Sequence, residues 1–297
     1  MAPHYSLNAV TIDILAEQPD AAFDLAWLFP HITFEQFMTE RDWMVPRFFD
    51  PEHKKVHVSI HTYVIRTAQR TILFDTCCGN LKERRGVYPF HMVDTPYLEN
   101  LAAMGVRPED VDFVMCSHLH LDHIGWNTRL QDGEWVPTFP NAKYLISRDE
   151  AAYWAELVKN AKKISMGIAA YQDSVAPVIA AGQAVTVDGK DGVAALLGDE
   201  FRLYPLPGHT PGHTGLWVES GAARALLIGD ALHSPIQFVH PEWGTTGDID
   251  PAMAERTRRA LIESCTDRDI LLMTGHFPPP SVGRLVSSGG GLRFHYV

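Results

Sequence analysis

Cys116-Ser117-His118-Leu119-His120-Leu121-Asp122-His123-Ile124-Gly125 packs three histidines and one aspartate into the six positions from 118 to 123. It follows an apolar run, Val111, Phe113, Val114 and Met115, that reads as a buried strand. Neighbours on a strand point to opposite faces, so a strand continued through the motif puts His118 and His120 on one face, able to grip one cation together. The apolar run has ended and Gly125 follows, which places Asp122 and His123 on the next turn, facing a second cation. Imidazole and carboxylate suit zinc, manganese, iron or cobalt, and no thiolate is placed to compete.

A histidine-rich surface loop is the bland alternative. With 15 His in 297 residues, a chance H-x-H-x-D-H has odds on the order of one in several hundred. The rest of the chain argues against chance. Gly208-His209-Thr210-Pro211-Gly212-His213, Gly229-Asp230 and Gly275-His276 each follow an apolar, strand-like run, so ligand-type clusters recur at strand ends. Sites of α/β proteins gather in the crevice at such ends.

With these motifs in this order, the chain resembles the metallo-β-lactamase-fold hydrolases: Asp75 after a strand, His118/His120/Asp122/His123, His213, Asp230 and His276. The resemblance runs from about Val56 to the C-terminus. Through H-x-H-x-D-H-x-G-W-N, and G-D-x-x-H with its aromatic-rich loop, it is nearest to the branch of acyl-homoserine lactonases and methyl-parathion-hydrolase-like enzymes. It implies an α/β fold, an αββα sandwich of two mixed β-sheets with helices on both outer faces. It also implies two divalent ions, zinc first, with iron, manganese or cobalt as alternatives. His118, His120 and His213 would hold one ion, Asp122, His123 and His276 the other, and Asp230 would bridge them; His209 is structural in the family pattern.

The implied chemistry is a metal-bridging hydroxide that opens a lactone or activated carboxylic ester, with Asp122 carrying the released proton to the leaving group. Lactonases of this branch place a tyrosine three residues after the bridging aspartate, where this chain has His233. His233 is therefore a second catalytic candidate, able to donate to an oxyanion. It points toward an organophosphate triester hydrolase as the alternative function. A non-catalytic metal-binding or interaction protein is the other alternative, because a fold alone proves no activity. A β-lactamase would show a cysteine ligand near Asp230, and a glyoxalase-II-type thioesterase a glycine where Trp126 stands; neither is present.

Composition sets the outer bounds. The chain is acidic, with a formal charge of −11, and 46% of it is hydrophobic, ample for a buried core. No basic stripe suggests nucleic acid, no window suits a membrane span, and no signal peptide opens the sequence, so a cytoplasmic protein is expected. Cys77, Cys78, Cys116 and Cys265 are too few for a disulfide framework and are expected to be reduced. Trp126, Phe90, Phe238 and Phe277, with Trp243, stand in or beside loops after ligand strands and are candidates to wall an apolar pocket. They favour a small, uncharged, partly hydrophobic substrate.

Residues 1–50 read as an N-terminal arm packed on the core, with a first strand at Thr11–Leu15 and an aromatic segment that makes a homodimer conceivable. Residues 51–297 read as the catalytic domain, with no linker dividing the chain. Val56, Val58, Ile60, Thr62 and Val64 alternate through one strand that forms a hairpin with Thr71–Phe74. His57 and His61 share a face of it without a completing partner and are read as solvated or core-edge residues. Gly79 to Asp94 has no periodicity and is long enough to be a lid. Ser147 with Glu150 reads as a capping box opening a helix to about Lys159, and Asp250-Pro251 opens another to about Cys265.

Overall fold

The computed structural model describes residues 3–189, 192–289 and 291–297. Its first sheet begins with β1 (His4–Leu7), β2 (Val10–Asp24), β3 (Phe49–Asp50), β4 (Lys55–Arg66), β5 (Thr71–Phe74) and β6 (Phe113–Met115). A separate hairpin of β7 (Thr128–Gln131) and β8 (Glu134–Pro137) follows. Then β9 (Lys143–Ser147) and β10 (Ala184–Val187) complete the first sheet in the order β1-β2-β4-β5-β6-β9-β10, with β3 on β4. The second sheet takes β11 (Phe201–Pro205), β12 (Thr214–Ser220), β13 (Ala223–Leu227), β14 (Leu271–Met273), β15 (Val282–Ser288) and β16 (Gly291–Tyr296) in sequence order. Both sheets are mixed, since β5, β6, β9 and β10 run parallel in the first and β13 and β14 in the second.

Three apolar layers hold the sandwich together. Between the sheets, Ile12, Ile65, Ile72, Phe74 and Met115 meet Leu203, Leu216, Val218, Leu227 and Met273. On the outer face of the first sheet, Val58, Ile60, Leu73, Val114 and Tyr144 pack under Tyr97 and Leu101 of the helix Tyr97–Ala103 and under Trp154 of the helix Arg148–Lys159. On the far side, Leu226, Ile228 and Leu272 receive Leu261 and Cys265 of the helix Pro251–Cys265. Each fully buried Leu, Ile or Phe contributes about 1.5–3 kcal/mol. The expected αββα architecture is what forms. β4 is buried along nearly its whole length on both faces, as a central strand covered from two sides must be.

The first strand of the chain runs further than its alternation suggests. β2 pairs antiparallel with β4 from Thr11 to Asp24, and register shifts near Gln18 interrupt the pattern that a sequence reading follows. Its end delivers Phe23 to the stack with Trp27, ring centroids 4.8 Å apart. All four cysteines are free and buried. Among the described residues no helix is long and apolar enough to cross a membrane.

Candidate active site

The strand carrying the histidine motif stops earlier than the sequence predicts. β6 ends at Met115, and the backbone then leaves the ladder because the Ser117 N–H turns to the Asp75 carboxylate, at 2.7 Å, instead of a neighbouring strand. His118 and His120 therefore converge from a loop, not from one strand face, with ring centroids 4.5 Å apart. Asp75 organises this loop. It accepts from the Ser117 N–H and hydroxyl, at 2.7 and 2.8 Å, and from His123 Nδ1 at 2.9 Å.

Glu150 organises it from the other side. Read in the sequence as half of a capping box, its carboxylate turns away from that box into the core. Ser147 still caps the helix, accepting from the Glu150 N–H. The Glu150 side chain instead accepts from the Leu119 N–H at 2.9 Å, the Trp154 indole at 2.8 Å, the Thr210 hydroxyl at 2.6 Å and the Gly212 N–H at 3.1 Å. It thus joins the two histidine loops. Nothing in its spacing distinguished it from an ordinary helix start.

Two donor clusters meet at Asp230. His118, His120 and His209 offer nitrogens within 4.8 Å of one another, and so do the donor atoms of Asp122, His123 and His276. Asp230 Oδ1 lies 3.1 Å from both His123 Nε2 and His276 Nε2, while Oδ2 lies 3.4 Å from His209 Nε2 and 3.8 Å from His118 Nε2. Oδ2 also stands 3.2 Å from His276 Nε2, so the carboxylate sits between the two clusters, within reach of both.

The structure corrects one member of the expected set, because His213 has no lone pair to give. Its Nδ1 donates to the Leu206 carbonyl at 3.0 Å, so its Nε2 is the acceptor for the Asp230 N–H, also at 3.0 Å. A Cβ on Gly229 would stand 2.6 Å from that Nε2, so the bare backbone lets the pair close. His209, set aside by the family pattern, takes the donor position instead. Its Nδ1 is held by Asp248 at 2.9 Å, which leaves Nε2 to face His120 Nδ1 at 2.9 Å. Both histidines sit in one G-H-T-P-G-H stretch, and residue type and spacing alone do not tell them apart.

The other rings are oriented by the same device. His118 Nδ1 lies 3.0 Å from the Ser117 hydroxyl, and His276 Nδ1 donates to the Ser59 carbonyl at 3.1 Å. His61, read as a solvated or core-edge residue, is buried between Ser59 and the Thr274 carbonyl and braces the turn before His276. Held this way, His118 Nε2, His123 Nε2 and Asp230 Oδ1 are buried without a hydrogen-bond partner. Orphaned lone pairs facing one another are costly in water-free surroundings and are what a cation relieves. The donor set, nitrogen and carboxylate oxygen without thiolate, fits two divalent ions.

The electrostatics divide the rings into two kinds. Burial holds His118 and His120 well below the ordinary histidine value, in the neutral form that ligates. Burial also works against protonation of His123, but Asp230, Asp122 and Asp75 outweigh it and hold that ring well above. For Asp230, burial is outweighed by His123, His276 and His233, which keep the carboxylate ionised.

An apolar cavity of about 260 Å³ opens above these groups. His120, Asp122, His209, Asp230, His233 and His276 form its polar end, and Phe23, Trp27, Leu28, Val58, Val87 and Phe90 wall the rest. Of the predicted wall residues only Phe90 is there. Trp126 stacks on Tyr97 at 5.0 Å and donates its indole N–H to Glu17 at 2.6 Å. Phe238 and Phe277 pack together beneath the second sheet, and Trp243 stacks on His240. Being near a ligand in sequence did not bring them to the cavity, because the loops turn their rings into the core. The residues missed, Phe23, Trp27 and Leu28, come from the N-terminal segment, far from any motif.

The segment from 79 to 94 supplies Val87 and Phe90 to this wall and is anchored. Arg84 donates to Asp173 at 2.7 and 2.8 Å, and Lys82 Nζ stands 3.3 Å from the same carboxylate and 3.6 Å from the Trp135 ring. Both basic side chains are almost wholly buried.

Comparison with known proteins follows the same lines. The family model described as the metallo-beta-lactamase superfamily matches residues 57–276. The N-acyl homoserine lactonase AiiB of Agrobacterium fabrum is 24% identical over 237 residues, covering 74% of this chain and 80% of that protein. The N-acyl homoserine lactonase AiiA of Bacillus thuringiensis subsp. kurstaki is 23% identical over 235 residues, covering 75% and 83%. Among solved structures, that of AidC, a dizinc quorum-quenching lactonase in complex with a product, superposes with a TM-score of 0.81 at 24% identity, over 100% of this chain and 97% of that one. With residues 57–276 matched, the chain belongs to the metallo-beta-lactamase superfamily, and its gathered donors are those of a metal-dependent hydrolase.

Proposed function

We propose that the protein opens a lactone or a similarly activated carboxylic ester, using two divalent cations, zinc in the first instance. His118, His120 and His209 would hold one, Asp122, His123 and His276 the other, with Asp230 between them. The observation that carries this reading is the meeting of both donor clusters at one carboxylate, at the polar end of an apolar cavity. Bound there, such ions supply Lewis acidity and, by lowering the pKa of water from 15.7 to about 7, a nucleophile at neutral pH.

The chain's own residues do the rest. His233 lines the cavity with Nε2 at 3.2 Å from Asp230 Oδ2, where it can donate to the oxygen that gains charge as the ester carbonyl is attacked. Asp122 also opens on the cavity and stands 3.5 Å from His276 Nε2, placed to take up the proton released at attack and return it to the leaving oxygen. Phe23, Val58 and Phe90 exclude water and receive an apolar substituent. The relatives named as N-acyl homoserine lactonases support a lactone over other esters.

His233, where lactonases of the branch carry tyrosine, is the one feature favouring a phosphotriester. The test is hydrolysis of a lactone, an aryl ester and a phosphotriester by the zinc-loaded protein, before and after chelation. Lactone turnover abolished by chelation and restored by zinc is expected. Turnover indifferent to chelation overturns the reading, and a phosphotriester preferred over the lactone replaces it with the alternative.

A further inference from the structure

We propose that Asp248 is a positioning residue that locks His209 to the cavity wall, so that cation binding and ordering of that wall are one event. The Asp248 side chain is fully buried and its two oxygens divide their work. Oδ1 accepts from His209 Nδ1 at 2.9 Å. Oδ2 accepts from Arg258 Nη1 at 3.1 Å and from the Thr245 N–H at 3.2 Å. Arg258 is itself buried on the helix Pro251–Cys265, and its Nε donates to the Pro241 carbonyl at 2.7 Å.

The segment this carboxylate organises is the wall. Thr245, Thr246 and Gly247 line the cavity. Gly247 approaches the His209 ring so closely that a Cβ there would lie 2.6 Å from Cε1. The backbone adds two further ties to the same histidine loop, Ile249 N–H to the His209 carbonyl at 3.0 Å and Asp250 N–H to the Gly208 carbonyl at 2.9 Å. Across the cavity, Thr246 N–H donates to the Leu28 carbonyl at 3.1 Å and its hydroxyl to the Trp27 carbonyl.

A carboxylate on the far nitrogen fixes a ligand histidine's tautomer and raises its basicity. Here it leaves Nε2 of His209 as the free donor. An asparagine cannot replace it. With its oxygen toward His209, its NH₂ confronts the donors of Arg258 and Thr245; with the amide flipped, its NH₂ confronts Nδ1 and forces the proton onto the nitrogen needed for the cation.

The experiment is titration of metal-free wild type and Asp248→Asn with cobalt(II), read by calorimetry and by the visible spectrum. Hydrogen exchange of the 243–250 segment is followed with and without the ion. In wild type, two ions bind and exchange in 243–250 slows on binding. In Asp248→Asn, one ion binds about 10- to 100-fold more weakly, the other as before, the spectrum changes, and the exchange response is lost. Unchanged affinities and spectrum in a variant that only melts earlier overturn the proposal. So does wild-type exchange in 243–250 that ignores the ion, a measurement that needs no variant. The inference rests on the metal assignment above: wild type binding no cobalt brings down both, whereas two ions bound equally by wild type and variant bring down this one alone.

Discussion

His213 Nε2 accepts the backbone N–H of Asp230 at 3.0 Å, which pins the Asp230 backbone and, with Nδ1 on the Leu206 carbonyl, leaves His213 no free nitrogen. The two histidines of G-H-T-P-G-H therefore fail differently. His209→Ala should reduce bound metal from two ions toward one and cut turnover at least a hundredfold. His213→Ala should keep both ions but lose about 1–3 kcal/mol of stability, since a buried N–H is left unpaired. Elemental analysis of the two variants separates them, and the reverse pattern would restore His213 as the ligand.

Asp173 anchors the segment from 79 to 94 that walls the cavity. It is the shared partner of Arg84 and Lys82, and removing it leaves two nearly buried cations without their counter-charge. Breaking a buried pair from one side costs about 3–5 kcal/mol. Asp173→Ala should fall in that range by urea denaturation and raise KM for apolar substrates, because Val87 and Phe90 ride on the same segment. A loss below about 1 kcal/mol would mean that water, and not Asp173, carries those charges.

Lys82 gives this cluster a pH signature. Burial, opposed by Asp173, pushes its amine down from 10.5 to about 8. Between about pH 8 and 10.5 the unfolded chain holds a proton that the folded chain has released, so stability contributed by this group rises with pH, by up to about 1.4 kcal/mol per unit. Wild type should gain on Lys82→Met as urea midpoints are followed from pH 7.5 to 10. Parallel profiles would show that Lys82 stays protonated in the fold.

What was legible in the sequence was whatever is local. β4 and its hairpin partner β5 announce themselves by alternation, and the donors cluster because several lie on one turn after β6. What was hidden depends on contacts across the fold. His209 and His213 differ only in what their second nitrogen meets, Asp248 or Leu206, and neither partner is a neighbour in sequence. Glu150 reads as a helix start until Leu119, Thr210 and Gly212 come to it. Trp126 follows the motif yet faces Tyr97, whereas Trp27, nearly a hundred residues earlier, reaches the cavity.

Glu150 makes that hidden layer measurable. Glu150→Ala strands four donors, two of them backbone N–H groups in the loops that carry His118, His120 and His209. A loss of more than 3 kcal/mol is expected, with weaker retention of metal on dialysis, while Glu150→Gln keeps one acceptor oxygen and should lie between. If Glu150→Ala held both ions as tightly as wild type, the loops would be fixed by the metals themselves and not by this carboxylate.

Phe90 is the wall residue whose role in substrate choice can be read most directly. Its ring meets Phe23 edge to face at 5.4 Å, and Phe23 in turn stacks on Trp27, so the three form one apolar surface in the cavity that Asp122 and His233 also line. An apolar substituent lying along that surface gains burial there, about 1.5–3 kcal/mol for a side-chain-sized group. A lactone with no substituent gains nothing from it. Phe90→Ala should therefore lower kcat/KM for a long-tailed lactone by about 10- to 100-fold, mostly through KM, and leave a tail-less ring unaffected. Both substrates share the same donors and the same reacting carbonyl, so the ratio between them cancels any general loss of folded or metal-loaded protein. A ratio unchanged by the substitution would place the tail elsewhere, along Leu28 and the Thr245–Gly247 wall.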